Sequence, residues 1–162
     1  MVASGLQRLY NFQQQDGGWG WWQNDKSNPY TTAYVVFGLA MARNADFAVD
    51  ENVFNRGLTA VRVHLAQKPD SNTQAYLLYA LSMAGQRDDT TRGRLVQDLS
   101  SLNSYARGML ALVLHKDGRA EEAKRVLGIL VDEAEAIGAM AHWSGAKAGS
   151  GWMDHHVEVT AV

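Results

Sequence analysis

The sequence predicts an all-α protein, an incomplete α/α toroid in which outer amphipathic helices alternate with inner buried ones. Three observations point to it. Only two prolines, Pro29 and Pro69, interrupt 162 residues, and each stands just before an uncharged run. The other breaks are rich in Gly, Asp and Asn, and few alternating β-branched stretches lie between them, so helices fit better than strands. The helices are of two kinds, one-sided and charge-free, and the kinds alternate along the chain.

Helices are predicted at about 3–15, 30–43, 51–66, 72–85, 90–100, 103–116 and 119–138, with another beginning near 157. In 51–66, Phe54, Leu58, Val61 and Leu65 form one apolar stripe, with Glu51, Asn55, Arg62 and Gln67 elsewhere. In 119–138, Ala123, Leu127, Leu130, Ala134 and Ile137 do the same opposite Glu122, Lys124 and Asp132. By contrast, 31–42 and 71–85 hold no charge, and 103–114 holds only Arg107. A helix that is apolar all round needs neighbours on every side. The alternation therefore builds an inner layer wrapped by an outer one. The buried helices share a small residue near their starts, in Thr32-Ala33-Tyr34, Gln74-Ala75-Tyr76, Ser104-Tyr105-Ala106 and Thr160-Ala161, which lets those starts crowd around an axis.

The spacing of these alanines is irregular, unlike the fixed period of tetratricopeptide arrays. The stretch 104–134 nevertheless reads alone as a tetratricopeptide hairpin, so an open superhelix with both helices of each pair amphipathic is the structural alternative. The final "HHVEVTAV" enters what reads as a fourth buried helix. The expectation is one helical domain, 1–162, cut from a larger toroid. Its open end would expose apolar surface to other domains of the same chain or to a second copy.

Composition removes several functions. The net charge is −2 and no Lys/Arg cluster interleaves with aromatics, so nucleic acid has no positive groove to follow. Without cysteine, this chain has no disulfide, thiolate metal ligand, Cys nucleophile or thioester of its own. No basic-then-apolar leader opens it, and the apolar run Thr31 to Ala42 is short of the ~20 residues that cross a bilayer.

The densest motif is "QQQDGGWGWWQNDKSNPYTTAYVVFGLAMA", Gln13 to Ala42. Gly17 and Gly18 are expected to supply positive φ that ends the first helix, with Asp16 bonded to the local backbone. The tryptophans would then close one barrel end as apolar plugs whose N–H groups find carbonyls. The competing reading is a stacked-ligand box made of Trp19, Trp21, Trp22, Tyr30 and Trp152, an aromatic surface at that end. Elsewhere, Asp154, His155, His156 and Glu158 are metal-competent types, but adjacent histidines in an extended segment face opposite ways. Glu158 reads instead as a first-turn helix carboxylate. Asp88-Asp89 reads as a solvated loop and cap. No Gly-x-Ser-x-Gly, phosphate-binding glycine loop or Ser/His/Asp constellation is legible, so no catalytic residue, cofactor or metal is expected.

Gly5, Leu9, Gln13, Gly17 and Trp19 stand in register with the repeat of triterpene cyclases, although Arg8 takes an aromatic's place. A longer stretch, Gln13, Asp16 to Trp22, the Asp/Asn-rich "NDKSNPY" and "TTAYVVFGLAMAR", resembles the thioester-containing domain of α2-macroglobulins, above all the bacterial ones. The tail resembles the later segment of that family, where a Gly-Trp precedes "V-E-x-T-A". The resemblance implies a parent that traps or inhibits proteases in the periplasm or outside the cell, and a non-catalytic scaffold here. The family's Cys and Glu-Gln motif lies upstream of its "DGGWGW" segment. The histidine of complement-type members has no counterpart in "AQKPDSNTQAYLLYAL", and His64 lies in the preceding outer helix. A terpene-cyclase-like barrel would instead need an aspartate cluster facing a deep aromatic cavity.

Overall fold

The computed structural model describes residues 2–137 and 140–143. Among them are α1 (Val2–Asn11), α2 (Pro29–Asn44), α3 (Glu51–Ala66), α4 (Ser71–Met83), α5 (Asp89–Gln97), α6 (Ser104–Lys116) and α7 (Ala120–Asp132). A 3-10 turn spans Leu99–Ser101, and a hairpin pairs β1 (Glu135–Ile137) with β2 (Met140–His142). Contacts group the chain into two compact units, Met1–Asp88 and Asp89–Val162. The helix start expected near 157, with Thr160-Ala161, lies outside the described residues.

Side-chain caps set most helix starts. Asn28 accepts from the N–H groups of Tyr30 and Thr31, ahead of Pro29 in the first turn. Asp50 caps Val53, Asp70 caps Asn72 and Thr73, and Asn103 caps Ala106. Each satisfies donors that the first turn leaves open, for about 1 kcal/mol.

In the first unit, α2 and α4 lie side by side. Tyr30 meets Tyr76 with ring centroids 4.5 Å apart, and Phe37 meets Tyr79 at 5.5 Å. Early residues thus pair with early ones and later with later, so the two helices run in the same direction. Ala33 and Ala75, the small residues near their starts, have no exposed surface. Helix α3 packs against both. Its buried face contains Phe54, Val61 and Leu65 of the expected stripe, joined by Gly57, Ala60 and His64.

Absence of charge did not mean burial on every side. Helix α4 is buried from Gln74 through Leu78 and again from Ala80 to Ser82, but Tyr34 on α2 is 61% exposed, and Met41 and Leu112 also face solvent. An uncharged helix can leave one strip open because Tyr, Met and Gly tolerate water at modest cost.

In the second unit α6 packs on α7, with Ala106, Met109, Leu110 and Leu114 buried. The expected α7 stripe is rotated: Ala123 and Val126 are buried while Leu127 is half-exposed. A shift of one residue turns a helix face by roughly 100°. Arg92 of α5 pairs with Asp117 at the end of α6, both side chains about nine-tenths buried.

Four helices stop earlier than expected, α4 at Met83 and α5 at Gln97 by two and three residues, α1 and α7 by more. The first ends at Asn11, and 12–15 form a turn. The last ends at Asp132, and Glu135–Ile137 pair with Met140–His142 as strands where helix was expected to 138. At both ends an indole bonds a last-turn carbonyl: Trp19 Nε1 donates to the Leu9 carbonyl at 2.8 Å, beside the Phe12 N–H at 3.2 Å, and Trp143 Nε1 to the Leu130 carbonyl at 2.6 Å. Each carbonyl sits in a last turn, where the regular i+4 donor is lost.

Candidate functional site

The motif 13–28 forms a loop held against α3 by main-chain recognition. Gln13 Nε2 donates to the Gly17 carbonyl at 2.9 Å and to the Val53 carbonyl at 2.8 Å. Arg56 donates to the Gln14 and Gln15 carbonyls. Gly17 adopts φ 87°, and a Cβ there would stand 2.6 Å from the Arg56 carbonyl oxygen. Gly18, expected to share the positive φ, does not. Its missing side chain instead makes room for Ser27 and Thr32, whose atoms a Cβ would meet at 2.6 and 2.8 Å.

Trp19 is only 1% exposed and belongs to the core, so it cannot present a face to a ligand. Its ring abuts Gly57, and its backbone exchanges two hydrogen bonds with the Thr32 hydroxyl. Tyr30 is stacked on Tyr76. Trp21 and Trp22 are 59% and 76% exposed. Trp152 lies outside the described residues, as do Asp154, His155, His156 and Glu158. The four described aromatics thus divide between packed and exposed positions, because neighbours in an irregular loop need not share a direction.

The loop also assembles a cluster that the sequence concealed. Ser27 Oγ donates to Asp16 Oδ2 at 2.6 Å and lies 3.1 Å from His64 Nε2. The three residues are 11 and 37 positions apart, a separation no motif announces. Their order differs from a nucleophilic triad, in which the imidazole bridges hydroxyl and carboxylate. Here the hydroxyl is the bridge. Ser27 gives its single proton to Asp16, so it accepts from His64, and Nε2 must carry the hydrogen. His64 Nδ1 is buried with no hydrogen-bond partner among the described residues. No carboxylate orients the imidazole as a base, and the chain of donors ends on Asp16.

Burial pushes the Asp16 carboxyl up, but the hydrogen bonds from Ser27 and Gly18 N–H, with the charge of His64, outweigh it and hold the carboxyl below its usual range. The cluster forms one wall of a cleft of about 570 Å³ between the loop and the C-terminal half of α3. Among the described residues, no group of three or more His, Cys, Asp or Glu side chains could hold a metal ion. None of the helices there is long and apolar enough to cross a membrane.

Residues 1–70 match the family model of the A-macroglobulin TED domain, the thioester-containing domain. An α2-macroglobulin of Thermotoga maritima is 30% identical over 115 residues, 71% of this chain. The chain belongs to the α-macroglobulin thioester-domain family. It spans 7% of the length of the Thermotoga macroglobulin.

Solved macroglobulins share the fold. An Escherichia coli α2-macroglobulin spanning domain MG7 to the C-terminus superposes with a TM-score of 0.72 at 20% identity, covering 81% of this chain and 23% of that one. A Salmonella α2-macroglobulin reacted with methylamine gives 0.72 at 20% identity over 85% of this chain and 10% of that one. The all-α toroid class expected from the alternation of helices is therefore the fold of this thioester-type domain, and neither the cyclase nor the tetratricopeptide alternative is favoured. The matched segment contains Gln13, Asp16, Trp19, Thr32 and Gly57, the residues that build the loop and seat it on α2 and α3.

Proposed function

We propose that this chain serves as a non-catalytic scaffold within an α2-macroglobulin-like endopeptidase inhibitor, one helical domain (1–162) that forms part of a larger toroid. The parent traps proteases in the periplasm or outside the cell, and this segment meets other domains of its own chain. The observation that carries the proposal is the family match over 1–70, which falls on the tryptophan corner. The order of the Asp16, Ser27 and His64 hydrogen bonds supports a structural role, because it stabilises a carboxylate and activates no nucleophile.

Two measurements test this. The parent protein, incubated with an equimolar serine protease, should abolish cleavage of a protein substrate while cleavage of a small peptide ester persists. Unchanged cleavage of the protein substrate would overturn the inhibitor assignment. Separately, a fluorophosphonate probe should leave Ser27 unlabelled, and stoichiometric labelling there would overturn the scaffold.

A further inference from the structure

We propose that the cleft between loop 14–27 and α3 binds a neutral saccharide. The proposal stands on the cleft alone and does not depend on the function of the parent. Its volume of about 570 Å³ falls in the range of small-molecule sites, ~300–1,000 Å³. Such sites are usually lined by apolar side chains. Nine of the eleven residues that line this one have polar side chains, and their aliphatic stems, with Ala60 and Val63, supply its apolar surface. Gln15, Asn24 and Gln67 bring side-chain amides to the lining.

Each amide offers a donor pair and an acceptor in one plane, and Asp25 adds a carboxylate oxygen beyond the one that Lys26 N–H occupies. Vicinal hydroxyls, each both donor and acceptor, match that alternation. An apolar ligand would leave these groups without partners. The lining holds two carboxylates, Asp16 and Asp25, against one ammonium, Lys26, which disfavours an anion. The Asp16–Ser27–His64 relay stiffens one wall, so little side-chain freedom remains there to be lost on binding.

The second observation is aromatic. Trp21 and Trp22 are exposed on the same loop, and Gln14, which lines the cleft, donates to the Trp22 carbonyl at 3.3 Å. A pyranose has an apolar C–H face as well as a polar rim. Neither indole lines the cleft itself, but both are exposed on the loop that forms one of its sides, where they can meet the apolar face of a sugar whose rim reaches the amides.

The test is titration of the isotopically labelled 162-residue chain, followed by amide chemical shifts, with chitotriose, cellotriose and maltotriose. Trialanine and inorganic phosphate serve as comparators. At least one trisaccharide should saturate with a Kd of about 1 mM or tighter and shift the amides of Asn24, His64 and Trp22. Asn24→Ala and Gln67→Ala should each weaken it at least about fivefold, a loss of the size of one hydrogen bond. Trp22→Ala should weaken it also, and Tyr34→Ala should not. The proposal is overturned if no saccharide saturates below about 10 mM, if trialanine or phosphate binds more tightly, or if binding survives both amide variants. The shift map of the unmutated chain decides the location even if a variant fails to fold.

Discussion

The smallest decisive feature is the space around Trp19. At Gly57 an added Cβ would stand 2.9 Å from both the Trp19 ring and a Val36 methyl. Alanine normally improves a helix by about 1 kcal/mol over glycine. Here overpacking, typically about 1–3 kcal/mol, should win because neither neighbour can retreat from the core. Gly57→Ala is expected to lower stability, whereas Gly128→Ala, which meets nothing within 4 Å on exposed α7, should raise it; urea unfolding of both gives the two signs. Thr32→Val should cost about 1–3 kcal/mol by leaving the buried Trp19 N–H without its acceptor. Asp16 adds a pH dependence. Its folded-state pKa lies below its ordinary 3.8, so its contribution is present above that value and is lost as pH falls through the lowered one. The stability difference between the wild type and Asp16→Asn should therefore be full well above 3.8 and shrink as pH is lowered below it.

At the level of elements, the amphipathic helices α1 and α7 end in the same way, each with a tryptophan from further along the chain donating to the third-last carbonyl. Bonding of this kind reaches the helix end from a distance, and in α1 it adds to the local Phe12 and Gln13 N–H bonds that close the last turn. The periodicity of both helices continues past the stop, and local propensity does not register a donor 10 or 13 residues away. The N-termini, set by Asn28, Asp50, Asp70 and Asn103, were legible because their caps are local. The Arg92–Asp117 pair ties α5 to the end of α6. Arg92→Met should cost about 3–5 kcal/mol, since it strips the guanidinium from a buried carboxylate. Arg92→Met combined with Asp117→Leu should cost clearly less than the sum of the single changes in a double-mutant cycle, and additivity would show that the pair is not coupled.

Across the whole molecule, stability should follow burial. Helix α4 has eight of its 13 residues buried, while α1 buries Leu6 alone. Hydrogen exchange should accordingly be slowest from Leu77 to Ser82 and fastest in α1 and in 20–27. An α1 as protected as α4 would contradict that ranking. Placing the inner helices required only composition, because a long charge-free run has few alternatives to the interior. Placing their open strips, such as the one bearing Tyr34, required knowing which neighbours were present.

Hydrophobic period, the Pro and Gly/Asp/Asn breaks and the Gln13 to Ala42 motif were enough by themselves to determine an all-α chain, the alternation of its helices and its kinship with macroglobulin thioester domains. These are local or repetitive signals, and each can be read within a few turns of chain. Tertiary structure alone decided which tryptophans are buried and where α1 and α7 stop. It also joined Asp16, Ser27 and His64 beside a polar cleft. Those outcomes depend on contacts between residues far apart in sequence, whose directions are set only when the loop closes onto α3.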